Sequence, residues 1–271
     1  GSLAGIQNVF FHIQSFTSSA ATTQASLAQA AIDASDSGAY ARAMTAPLAR
    51  ISKLALNPAQ LARNAIKDPR LIPVIADGLE ADKPRLKYGC AKALRFISEL
   101  RPDVLYPRFE FFVHLLDHEN KILQWDAAFV LSHLARVDTE DRFSAILARY
   151  FSPIPGPVMI TAANVIQGGA RIAQARPHLA KRIAAEVLKV ATARYQTPQC
   201  RDVAIGHAIV ALGAILPLLR DPAPAMRFVR RQLKNSHPAT RRKAEQFLKA
   251  YPGGFALQQS KRLASCEGSC R

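Results

Sequence analysis

The chain has 271 residues, 49% of them apolar, and a formal net charge of +16. Such length and apolar content supply a sizeable buried core and exclude a disordered composition. No uninterrupted apolar run approaches the ~20 residues that span a bilayer, and no stretch reads as a secretory signal.

The opening Gly1-Ser2, without a Met, reads as a cloning remnant and is left out of the fold reading. Cysteines fall at positions 90, 200, 266 and 270. That scatter matches no disulfide framework and points to a reducing cytoplasm. Charge is unevenly spread: residues 176–271 hold 18 basic against 5 acidic residues, a balance of +13 out of +16. An asymmetry of this kind speaks of partners rather than fold, and favours something acidic.

Residues 1–67 are rich in Ala, Ser, Thr and Gln. Leu27, Ala31 and Ile32, then Leu48, Ile51, Leu54 and Ala55, recur at helical spacing, and residues 33–38 read as a turn between them. Two or three capping helices are expected here. At Asp68-Pro69 a helix start is expected, with the carboxylate as cap and Pro where its missing N–H matters least. Leu71, Ile75 and Leu79 then form an apolar stripe, residues 81–84 turn, and Leu86, Ala93, Leu94 and Ile97 face inward on a second helix. The next pair repeats the plan, with Leu105, Phe109, Phe112, Val113 and Leu116 on its first helix and Ile122, Trp125, Phe129, Val130 and Leu134 on its second.

Residues 68–100, "DPRLIPVIADGLEADKPRLKYGCAKALRFISEL", can be laid over residues 101–138. Pro84 then meets Asn120, Arg85 meets Lys121, Ala91 meets Ala127 and Leu94 meets Val130. These units resemble HEAT repeats, and three further helix pairs carry the likeness to residue 251. A small residue recurs on each second helix at Ala91, Ala127, Ala163, Ala204 and Ala244, at spacings of 36, 36, 41 and 40, where neighbouring helices must approach closely. The fourth unit departs from the pattern. Three residues after Ala204 stands His207, where the other units have Leu94, Val130, Ile166 and Phe247. Either that helix is shifted so that Ala208 and Leu212 face inward, or His207 is special.

The resemblance implies an all-α fold: a right-handed α-α superhelix of about five HEAT-type hairpins over residues 68–251, with an N-terminal cap over 1–67 and a tail over 252–271. The resemblance is uninformative about activity, because such scaffolds serve many functions; the expected function is non-catalytic binding, with the second helices lining a concave face. A pair of helices of this kind cannot bury its apolar face alone and must stack on its neighbours.

The strongest binding signal is basic. Arg220, Arg227, Arg231 and Lys234 are spaced to share one helical face, Arg230 flanks them, and Arg241, Arg242 and Lys243 open the following helix. Together they would form a patch able to meet several carboxylates or phosphates. The expected partner is an acidic protein surface or peptide, with nucleic acid as the alternative. Trp125 and His207 are candidates to line the groove.

No catalytic set, metal site or cofactor motif is expected. Trp125-Asp126 resembles in part a pair in HEAT-like alkylpurine DNA glycosylases, whose catalytic Asp falls one turn after a Trp. Here that position is Phe129, and Asp126 points about 100° away around the helix. Asn164 and Gln167 stand where that family carries an Arg. His118-Glu119 resembles one of the several iron-binding pairs of deoxyhypusine hydroxylase, another HEAT enzyme, and the remaining pairs are missing. Cys266 and Cys270 lack the further ligands that structural zinc requires. Gly168-Gly169 inside a helical pattern marks a bend or a close helix contact.

Overall fold

The computed structural model describes Ile51 and residues 54–252. The helices expected before residue 51 and the tail beyond residue 252 lie outside the described residues. The chain divides into residues 1–51 and residues 52–271, and every element below belongs to the second unit.

Twelve α-helices are present among the described residues: α1 (Pro58–Lys67), α2 (Leu71–Asp77), α3 (Pro84–Leu100), α4 (Pro102–Leu105), α5 (Phe109–Leu115), α6 (Lys121–Leu134), α7 (Arg142–Phe151), α8 (Met159–Ala175), α9 (Ala180–Leu188), α10 (Pro198–Ile215), α11 (Ala223–Arg231) and α12 (Pro238–Ala250). No strand occurs among them. Successive hairpins pair α2 with α3, α5 with α6, α7 with α8, α9 with α10 and α11 with α12. The second helices stack in series: α1 on α3, α3 on α6, α6 on α8, α8 on α10 and α10 on α12. The first helices touch one another far less. The chain is an all-α solenoid whose second helices form the tightly packed inner row.

Local chemistry sets where the inner helices begin. Pro opens α1, α3, α10 and α12, where it removes an N–H that has no partner in any case. The Asn120 side chain accepts from the N–H groups of Ile122 and Leu123 at the start of α6, and Thr197 accepts from Cys200 at the start of α10. Helix α2 begins at Leu71, and Asp68 leads into it: its side chain accepts the Arg70 N–H at 3.3 Å and its carbonyl the Leu71 N–H at 3.1 Å. Its N–H closes α1 on the Asn64 carbonyl, and its carboxylate holds the Arg70 side chain. The expected helix across Leu105 to Leu116 is broken by a 3-10 turn at Tyr106–Arg108, around Pro107, which has no N–H to donate.

Ala91, Ala127, Ala163, Ala204 and Ala244 are all buried, so each inner helix turns its small position to a neighbour. Gly168-Gly169 marks a close contact. A Cβ on Gly168 would lie 1.9 Å from the Tyr150 hydroxyl oxygen, and one on Gly169 would lie 2.7 Å from Phe151. Helix α10 and its 3-10 extension, Pro198–Leu218, have the length and hydropathy of a bilayer span. Half of that stretch is buried, with α8 and α12 packed on it, as in a core helix.

Candidate binding surfaces

The inner row leaves one face open, and its side chains meet across repeats. At its centre lies Phe129 of α6. The Arg95 guanidinium of α3 sits 3.9 Å from the Phe129 ring centroid, and that of Arg171 on α8 sits 5.1 Å from it. Both distances are within cation–π range. Arg95 also donates to Asp126 at 3.0 Å. Burial pushes the Asp126 carboxyl above its ordinary value, and Arg95 opposes that shift. The His133 ring lies 4.5 Å from that of Phe129, tilted at 45°, and burial holds its imidazole below the usual histidine range, helped by Arg171 and Arg136 against the pull of the Phe129 carbonyl.

Trp125 is half-buried, and its indole N–H donates to Thr161 of the next inner helix at 2.9 Å. Lys92 reaches over Phe96 at 6.0 Å. Further along the row, Gln167 of α8 meets the His207 ring at 3.0 Å. His207 is half-buried on the open face, while Ala208 and Leu212 take the interior. The departure in the fourth unit is therefore a shifted register that leaves the imidazole half-exposed beside Gln167. Burial, then Lys243, lowers its pKa. Helix α12 comes so near α10 that a Cβ on Gly206 would be 3.0 Å from the Thr240 hydroxyl and 3.3 Å from the Lys243 ammonium.

The basic residues of the fifth unit lie on several elements. Arg227, Arg230 and Arg231 share the exposed side of α11, and Lys234 follows in a 3-10 turn. Arg220 is not on that helix: α11 starts at Ala223, which leaves Arg220 in the preceding linker. Arg241 is engaged in its own turn, donating to the carbonyls of Asn235 and Ser236 at 2.7 and 2.9 Å. Arg242 is exposed, and Lys243 faces the inner groove instead. Among the described residues, Arg220, Arg227, Arg230, Arg231, Lys234, Arg242 and Lys243 form no ion pair.

The sequence pattern missed the contacts of Lys92 with Phe96 and of Arg95 and Arg171 with Phe129. Position along the inner helices was the available signal, since Phe129 and Arg171 fall on the side turned from the outer helices. Among the described residues no group of three His, Cys, Asp or Glu side chains is placed to hold a metal. His118 lies in the turn before α6, where its ring accepts the Asn120 N–H at 2.9 Å.

No protein-family model matches the chain, and no curated protein matches its sequence. The fold is similar to that of a designed armadillo repeat protein, at 14% identity over 75% of this chain and 91% of that one, with a TM-score of 0.51. An engineered protein aligns at 17% identity over 74% and 86%, with a TM-score of 0.46. A designed armadillo repeat protein in complex with the peptide (KR)4 aligns at 15% identity over 75% and 90%, with a TM-score of 0.45. At 14% identity the first of these likenesses shows the helical-repeat fold and says nothing of a ligand.

Proposed function

We propose that this chain is a non-catalytic, HEAT-type binding scaffold that holds an acidic, extended segment of a partner protein against its inner face. The observation that carries this reading is the charge balance of that face. Lys92, Arg171 and Lys243 have no carboxylate partner among the described residues, and the half-buried Asp126 is already matched by Arg95. The row crosses several inner helices, which suits a chain lying across them, with Asn164, Gln167 and His207 as hydrogen-bonding groups. The α11 cations would extend the attraction over the outer row and raise the rate of encounter. The free thiols of Cys90 and Cys200 suit a reducing cytoplasm.

Fluorescence anisotropy with a labelled poly-glutamate peptide tests the proposal. The peptide binds the wild type and loses at least about tenfold in affinity when Lys92, Arg171 and Lys243 are all changed to Glu. Unchanged binding by that variant removes the inner face from the account. Changing Arg227, Arg231 and Lys234 to Glu weakens binding further if the outer cations share in it.

Nucleic acid is the second reading, favoured by the rings of Phe96, Trp125 and Phe129 interleaved among the cations. A labelled single-stranded oligonucleotide then binds more tightly than the peptide, with a log-linear salt dependence whose slope counts the phosphates engaged. Excision of alkylated bases finds less support, because Phe129 stands one turn after Trp125 and Asp126 is paired with Arg95. Release of free base from an alkylated duplex would reverse that judgement.

A further inference from the structure

The outer row holds a feature that the inner face does not account for. Between α9 and the start of α11 lies a cavity of about 640 Å³, within the range of roughly 300–1,000 Å³ typical of small-molecule sites. It exists because the facing residues are small. Ala184 and Ala185 of α9 and Pro224 and Ala225 of α11 leave unfilled the space between the two outer helices. Leu188 and Leu219 complete an apolar lining.

The polar groups at this cavity differ in what they are already doing. His178 meets the Asp141 carboxylate at 2.9 Å. Asp221 accepts the Ala223 N–H at 2.9 Å at the start of α11. Lys181 and Arg220 are exposed and have no partner among the described residues. The result is an apolar chamber with two uncommitted cations at its edge.

We infer that this cavity binds a small amphiphilic carboxylate, a compound with an apolar chain or ring and a single anionic group. The apolar body would displace water from the Ala and Leu lining, while Lys181 and Arg220 take the carboxylate through charge-assisted hydrogen bonds. The volume argues against a single anchoring side chain from a partner protein, which would leave most of the chamber empty and its lining without contacts. The charge argues against a cationic amphiphile. Arg220, read from sequence as part of the α11 face, serves this site instead.

Dodecanoate, kept below its micelle concentration, is the probe, titrated calorimetrically into the full chain. Saturable one-to-one binding is expected, at least about tenfold tighter than that of dodecyltrimethylammonium, which has the same chain and the opposite charge. Lys181→Glu with Arg220→Glu should weaken dodecanoate binding by about tenfold or more. Ala185→Trp, at an exposed position that tolerates bulk, should block it while the far-ultraviolet helical signal is kept. Changing Lys92 and Arg171 to Glu should leave it untouched, which separates this site from the inner face. Equal affinity for the two amphiphiles, full binding by the Ala185→Trp chain, or no binding of dodecanoate overturns the inference.

Discussion

The phenolic hydroxyl of Tyr106 donates to a carboxylate oxygen of Asp138 at 2.7 Å, joining the 3-10 turn of the second repeat to the start of the third. Asp138 is fully buried, and its two oxygens also accept the N–H groups of Arg142 and Phe143 at 2.9 and 3.1 Å. It caps α7 from outside the helix, while Asp141, at φ 54°, turns the chain in left-handed geometry. Arg176 of the fourth repeat stands 3.8 Å away.

Asp138→Ala would strand two helix N–H groups and the Tyr106 hydroxyl in a buried place. A loss of about 3 kcal/mol is expected. Tyr106→Phe removes one bond to a charged acceptor and should cost about 1.5–3 kcal/mol. Urea unfolding measures both, and a double-mutant cycle should return a coupling energy, because the pair shares one network. Burial and the Asp138 bond push the Tyr106 hydroxyl up to about 12, so it remains a donor across the whole working range.

Gly168 tests the packing argument. Placing Ala there improves intrinsic helix propensity by about 1 kcal/mol, yet the new Cβ would meet the Tyr150 hydroxyl oxygen at 1.9 Å. Tyr150 is fully buried and bonded to the Ala128 carbonyl at 2.9 Å, so it has nowhere to go. Gly168→Ala should destabilise by about 1–3 kcal/mol. In a Tyr150→Phe background, where that oxygen is gone, the same change should cost less. Equal costs in the two backgrounds would refute the contact.

His133 and His207 set a pH dependence. Burial lowers both imidazole pKa values in the folded chain. The unfolded chain therefore takes up protons first as pH falls below the ordinary histidine value. The stability these residues contribute is complete above that value and declines as pH drops through the window beneath it. A chain carrying His133→Gln and His207→Gln should show a flatter stability profile between pH 5 and 8. The same two groups gain charge inside the groove at low pH, so poly-glutamate should bind the wild type more tightly there and the variant less so.

Cys90 is fully buried, and burial pushes its thiol up to about 11. Thiolate is the reactive form, so in a chain with Cys266→Ser and Cys270→Ser an aromatic disulfide reagent at pH 8 should modify Cys200 and leave Cys90 intact. Cys90 should react only once denaturant opens the stack. Equal rates for the two thiols would show that the α1–α3 contact opens readily.

How far the sequence could be read depended on the range of the interaction concerned. Helical hairpins, the turn over residues 81–84, and the buried small positions from Ala91 to Ala244 follow from apolar periodicity and turn chemistry. Those are properties of a few neighbouring residues. The helix expected at Asp68-Pro69 begins two residues later, at Leu71, with the Asp68 side chain and carbonyl accepting the Arg70 and Leu71 N–H groups while the Asp68 N–H closes α1.

The groove was decided by tertiary structure. Phe129 lies between Arg95 and Arg171, and His207 meets Gln167, only because successive helices stack in a particular register across 34 to 42 residues of chain. Stacking also divided the basic cluster: Arg241 bonds to turn carbonyls, Lys243 enters the groove, Arg220 stands at a cavity, and Arg227 and Arg231 remain on the outer helix. Charge could be counted along the chain. Which charges remain uncommitted depends on the distances between elements, and those exist only once the repeats are packed.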